Sequence, residues 1–105
     1  MIVVLKACGR EIRELPEEIR GDLADALAQL DAGETLSMPL SRPMPSMGPG
    51  VHELRLKDRT GGYRVIYAIV TAGSIYVVHG FKKTTRATPR RNIEIAMRRF
   101  KEVDK

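Results

Sequence analysis

The residues of this sequence whose types and spacing suit chemistry are its cations. Arg55 and Lys57 alternate along one stretch, Arg64 follows a Gly-Gly turn, and Lys82 and Lys83 stand side by side with Arg86 just beyond. Like charges repel, so a fold gathers them only where an anion offsets the cost. A phosphodiester fits that requirement. In RNA, the 2′-OH beside the scissile phosphate attacks it once a base removes the proton. Neighbouring cations lower a lysine's pKa, which makes Lys57, Lys82 or Lys83 a candidate base. Arginine stays protonated and offers paired N–H donors to the charge that builds on the phosphorane. A phosphate-binding patch without catalysis is the plainer reading of the same cluster. His79 is a further catalytic candidate, although it alternates with Ile75, Val77 and Phe81 and so also reads as a packed histidine. Arg59, Tyr63, Arg86, Arg90 and Arg91 are candidates to hold RNA around this centre, Tyr63 by stacking on a base.

Other chemistries find little support. The chain has two histidines, His52 and His79, and one cysteine, Cys8, which is too few for a Cys/His metal cluster. No phosphate-binding or dinucleotide glycine motif stands in a strand–helix context, and no carboxylate pair stands out. The expected activity therefore uses neither metal nor cofactor. A single thiol makes no internal disulfide and gives no sign of an oxidising compartment. No apolar run approaches the ~20 residues that span a bilayer. Met1-Ile2-Val3-Val4-Leu5 lacks the basic flank of a signal peptide. A cytoplasmic protein with no membrane partner is expected.

Charge distribution points the same way as the cluster. Residues 1–50 hold five Lys/Arg and eight Asp/Glu, a net −3, while residues 51–105 hold thirteen and five, a net +8. A basic half of this kind presents itself to a polyanion, most often nucleic acid.

The elements that must position these residues follow from the apolar pattern. Met1 to Ala7 is β-branched and reads as a strand. Gly9 to Leu15 reads as one or two helical turns. Pro16 opens a helix with Ile19, Leu23, Leu27 and Leu30 at helical spacing, ending at Gly33. Residues 37–50 hold four of the six prolines and read as a loop packed on the body. Val51 to Lys57, Tyr63 to Thr71 and Ile75 to Phe81 read as three strands joined by turns at Asp58–Gly62 and Ala72–Ser74. Thr88 reads as the cap of a final helix that begins at Pro89 and carries Ile93, Met97 and Phe100 on its apolar stripe.

At 105 residues these elements fit one domain, residues 1–105, of α+β class. The expected sheet is small, antiparallel or at most mixed, with about four strands and helices against one face; if the first strand joins it, its two-faced apolar pattern suits an interior position. In an antiparallel meander the start of the middle strand lies beside the ends of both neighbours. Arg55, Lys57, Arg64, Lys82 and Lys83 should then converge at one end of the sheet.

Val51-His52-Glu53-Leu54-Arg55-Leu56 followed by Gly62-Tyr63-Arg64-Val65-Ile66-Tyr67 resembles the central hairpin of RelE-superfamily toxins. His79-Gly80-Phe81-Lys82-Lys83-Thr84, then Thr88-Pro89 and a helix with Glu94 and Ala96, resembles the HigB-like, phage-derived branch. The resemblance covers nearly the whole chain. It implies a microbial-ribonuclease-like fold and the toxin of a type II toxin–antitoxin pair, silenced by an antitoxin that in this branch is often of helix-turn-helix type. The implied activity is mRNA cleavage on the ribosome, leaving a 2′,3′-cyclic phosphate and a 5′-OH. Arg55, Lys57, Arg64 and either Lys82 or Lys83 take the matching basic positions. The chain departs from the pattern at Glu53, where some members carry lysine, and in having no tyrosine after Tyr76. Two other functions compete: a ParE-type gyrase inhibitor and a basic nucleic-acid-binding module without toxicity. On the first reading Arg64→Ala is expected to abolish activity with the fold intact.

Overall fold

The computed structural model describes residues 1–70 and 73–103. Its elements are β1 (Ile2–Val4), α1 (Lys6–Arg13), α2 (Glu17–Asp31), β2 (Ser41–Pro43), β3 (Val51–Asp58), β4 (Gly61–Ile69), β5 (Ile75–Lys82) and α3 (Arg90–Val103), with a short 3-10 turn at Pro45–Met47. The class is α+β, with two N-terminal helices and one C-terminal helix, as the sequence suggests.

The sheet has five strands in the order β1-β5-β4-β3-β2. The meander β3-β4-β5 is antiparallel, and β1 joins it in parallel with β5, so the sheet is mixed. Two expectations need correction here. The first strand is short and lies at an edge rather than inside the sheet, and α1 begins at Lys6. The proline-rich segment contributes a strand, β2, which pairs with Leu54, Glu53 and His52. Pro43 is tolerated because β2 is an edge strand, where a missing N–H breaks no ladder. Ser41 fixes it in place with a buried hydrogen bond, 2.7 Å, to the Tyr67 hydroxyl.

Helices cover both faces of the sheet, not one. Leu54, Leu56, Val65, Tyr67, Ile75 and Val77 pack on one face beneath Cys8, Ile19, Leu23 and Leu30 of α1 and α2. Val51, Ile66, Ala68 and Val78 point to the other face, where Ala96, Ile93, Met97 and Phe100 of α3 cover them. The side-chain period of two makes this possible, since each central strand is apolar on both sides. Burial pushes the Cys8 thiol up to about 12, the Glu11 carboxylate adding to the shift, so Cys8 is a core residue and not a nucleophile.

One irregularity decides what each face carries. Between Ile66 and Tyr67 the β4–β5 register slips: Tyr67 faces Val77, but Ile66 faces His79. Val78 is the extra residue of a β-bulge. Before the bulge the odd-numbered residues of β5 point at α2. After it, His79 and Phe81 turn to the α3 side, while Gly80 and Lys82 turn the other way.

Leu54→Ala should lower unfolding free energy by about 2–5 kcal/mol, because the side chain is fully buried between β3 and α2. Denaturant titration checks this. A loss below about 1 kcal/mol would mean that α2 does not seal this face.

Candidate functional site

On the α3 side of the sheet, three cross-strand rows run towards the Lys83 end. Glu53, Ile66 and His79 form the first, Arg55, Arg64 and Phe81 the second, and Lys57 with Gly62 the third. Lys83 completes the third row, its backbone N–H donating to Gly62 O at 2.8 Å. Directly opposed residues in such a ladder are about 4.5–5.5 Å apart at Cα. Arg55, Lys57, Arg64 and Lys83 therefore do converge on one face. Gly62 has no side chain to fill the gap among them. A Cβ there would lie 3.5 Å from Arg64 Nη1 and 3.7 Å from Lys83 Cβ.

Lys82 does not join them. It points to the opposite face, with its ammonium 5.9 Å from the centre of the Tyr63 ring. The bulge makes this choice between the two lysines, which alternation alone leaves open. Lys83 sits lower than an ordinary lysine, first because its ammonium is partly desolvated and then because Arg64 and Arg55 repel a further proton; Glu53 opposes the shift.

Arg64 is buried, at 7% exposure, and Glu53 beneath it is at 2%. The guanidinium Nε lies 3.5 Å from Glu53 Oε1, and Nη1 donates to Tyr63 O at 3.1 Å. Glu53 Oε2 accepts from the Thr88 hydroxyl. Thr88 thus spends its side chain on Glu53 and does not act as the expected helix cap. The departure at Glu53 has a physical role: it is the counter-ion that lets two arginines face each other. Arg55, Lys57 and Arg64 also line an open cleft of about 340 Å³ with Pro39 and Leu40, at the edge of β3 beyond the end of β2.

His79 stands apart from the cations. It is at 3% exposure, with Nδ1 2.9 Å from Glu11 Oε1 and Nε2 2.7 Å from Asn92 Oδ1, and its ring stacks on Phe81. Arg99 Nη1 donates to Glu11 Oε1 and to Val78 O, both at 2.8 Å. Glu11 also accepts from the Gly80 N–H, so it covers the edge of β5 beyond β1. Both ring nitrogens are occupied, which gives His79 a fastening role between α1, β5 and α3. Sequence alternation places it beside Val77; the bulge moves it to the other face.

The RNA-binding candidates separate as well. Tyr63 is buried on the α2 side, its hydroxyl hydrogen-bonded to Thr60 Oγ1 at 2.7 Å, and cannot stack on a base. Arg59, Arg86, Arg90 and Arg91 are exposed, and Arg90 pairs with Glu94 one turn along α3. Asn92, Glu11, Arg99 and Thr88 were not legible as network residues, since their partners lie far away in sequence. His52 stacks on Tyr67 and reads as packing, its protonation disfavoured by burial. Among the described residues no three His, Cys, Asp or Glu side chains sit close enough to hold a metal, and no helix is long and apolar enough to cross a membrane.

The mixed sheet of this order, with two helices on one face and one on the other, matches the fold of the toxin RelE. A solved structure of a mutant of the E. coli toxin RelE in the free state matches with a TM-score of 0.56, over 93% of this chain and 94% of that one, at 19% identity. Residues 10–101 match the family model "Phage derived protein Gp49-like (DUF891)", and the chain belongs to that family. No curated protein sequence matches significantly.

Two variants test this geometry. Arg64→Ala leaves Glu53 charged and unpaired in the sheet, and should cost about 3–5 kcal/mol of stability. Adding Glu53→Gln should recover part of that loss; a double variant no more stable than Arg64→Ala would contradict the pairing. Burial alone would raise the Glu11 pKa, but hydrogen bonds from Arg99, Gly80 and His79 outweigh it and hold the carboxyl below its ordinary value near 4.5. A lowered carboxyl pKa stabilises the fold above the ordinary value, and that contribution fades as pH falls through the folded one. The melting temperature should therefore drop below about pH 4.5, and Glu11→Gln should flatten that part of the curve.

Proposed function

We propose that this chain is the toxin of a type II toxin–antitoxin system, of the HigB-like branch, and that it cleaves mRNA on the ribosome and so halts translation. The observation that carries the reading is the shared face of Arg55, Lys57, Arg64 and Lys83 around Gly62. Family membership and the RelE fold support it.

In this reading Lys83 is the general base. Partial desolvation and the neighbouring Arg64 and Arg55 guanidinium groups shift Lys83 towards the neutral amine, which takes the proton from the 2′-OH. The oxygen then attacks the adjacent phosphorus, the P–O5′ bond breaks, and the leaving 5′-oxygen takes up a proton from water. Arg55 and Arg64 hold the charge that develops on the phosphorane, and Lys57 offsets the charge of the phosphate. The products are a 2′,3′-cyclic phosphate and a 5′-OH. Arg59, Arg86 and Arg91 extend the basic surface to the flanking backbone. His79 and Tyr63 act through packing, and Lys82 stays outside the reaction. The activity needs no metal or cofactor. The partners are the message, the ribosome and a cognate antitoxin, of helix-turn-helix type in the HigB-like branch, and the setting is the cytoplasm.

Induction of the chain in growing bacteria with mapping of mRNA 5′ ends tests this. Codon-phased cuts in translated messages are the expected result. DNA damage without cuts would show a ParE-type gyrase inhibitor, and unaffected growth a binding module without toxicity. Lys83→Ala should reduce cutting by about 10²-fold or more, the usual worth of a general base. Lys82→Ala should leave it within about twofold. Equal losses in the two variants would contradict the assignment.

A further inference from the structure

A second group of cations lies outside the face described above. Lys6 and Arg10 stand one turn apart on α1, and Arg98 and Arg99 approach them from α3. With Leu5, Ala7 and Glu102 they line an open cleft of about 410 Å³. Arg99 is committed to Glu11 and the carbonyl of Val78. Lys6, Arg10 and Arg98 have no ion pair among the described residues. Three uncommitted cations thus face one carboxylate, Glu102. The first turn of α1 holds no acidic residue and has no side-chain cap, and among the described residues Glu102 is the one carboxylate lining the cleft.

Cations drawn from two helices into one cleft need an anion, for the same reason as those on the sheet. Two guanidinium groups and an ammonium suit phosphate oxygens, since each guanidinium offers a planar pair of donors. The surroundings extend the positive stripe. Arg91 and Arg98 are seven residues apart on α3, hence on one side of the helix and about 10 Å apart. Both are exposed. Arg91 is near the start of α3, just after the loop that carries Arg86 and follows Lys83. Arg99, which lines the cleft, donates to the carbonyl of Val78, five residues before Lys83 and so about 16 Å away along an extended chain.

We propose that the α1–α3 cleft is a second phosphate site, which holds an RNA backbone through Lys6, Arg10 and Arg98 while the sheet face holds the RNA to be cut. This rests on the reading above in taking RNA as the partner. It adds a docking site remote from the reacting atoms, so that the chain's affinity for RNA is set in two places.

The test is binding of a fluorescein-labelled 2′-O-methyl RNA oligonucleotide, which has no free 2′-OH and cannot be cut by this chemistry. Fluorescence anisotropy gives affinity across a salt series. A combined Lys6→Gln, Arg10→Gln, Arg98→Gln variant should bind about tenfold more weakly in low salt, and its slope against log salt should shrink by about 0.7 for each phosphate no longer neutralised. Glu102→Gln should move affinity the other way. A control variant, Arg13→Gln, Arg20→Gln, Arg42→Gln, removes the same charge from exposed positions elsewhere and should change little. These side chains are exposed or partly so, and melting curves check that each variant folds. Equal losses in the two triple variants, or an unchanged slope in the first, would overturn the site. Loss of binding in the cleft variant from a chain that makes no cuts in cells would overturn the ribonuclease reading and leave this site standing.

Discussion

Arg55 and Arg64 face each other on neighbouring strands, a placement that sheets ordinarily avoid because like charges directly opposed destabilise the pair. Glu53 makes it possible. Its carboxylate lies buried one row below, against Arg64 Nε, with its second oxygen held by Thr88. Without that buried negative charge, desolvation and repulsion would drive the guanidinium groups apart. Among the described residues Arg55, Lys57 and Lys83 make no ion pair, so positive charge is left over around Gly62. On the proposed reading, the phosphate of the RNA supplies that charge.

The rest of the fold serves this arrangement. The ladder from β3 to β5 fixes the rows, and α2 packs on one face of the sheet and α3 on the other. The bulge at Val78 has the largest single consequence, since it turns Lys83 and not Lys82 towards the cations and carries His79 under α3. Glu11 ties α1, β5 and α3 together there, accepting from Arg99 and Gly80 and meeting His79. The carboxylates at Glu53 and Glu11 thus hold the two cationic regions from beneath.

The β3–β4–β5 meander and the helices were legible because their apolar periods are regular and their turns carry Gly, Asp and Ser. The convergence of cations at one end of the sheet was legible from antiparallel order alone. β2 was hidden by its prolines, which deny a strand at the centre of a sheet but not at its edge. The edge position of β1 and the side taken by α3 were not legible, since two-sided apolar strands pack equally well either way. Tyr63 was misread because its neighbour Arg64 faces the cluster, and adjacent strand residues face opposite ways. The role of Glu53 and the choice between Lys82 and Lys83 depend on a bulge and a buried ion pair, both made by partners distant in sequence.

The chemistry left on the RNA tests the central claim most directly. Purified chain, ribosomes and a defined message give fragments whose ends can be assigned by enzymatic labelling and mass spectrometry. Attack by the 2′-OH at a lysine–arginine face predicts a 2′,3′-cyclic phosphate upstream and a 5′-OH downstream. A 5′-phosphate at the cut, the mark of attack by water, would contradict it.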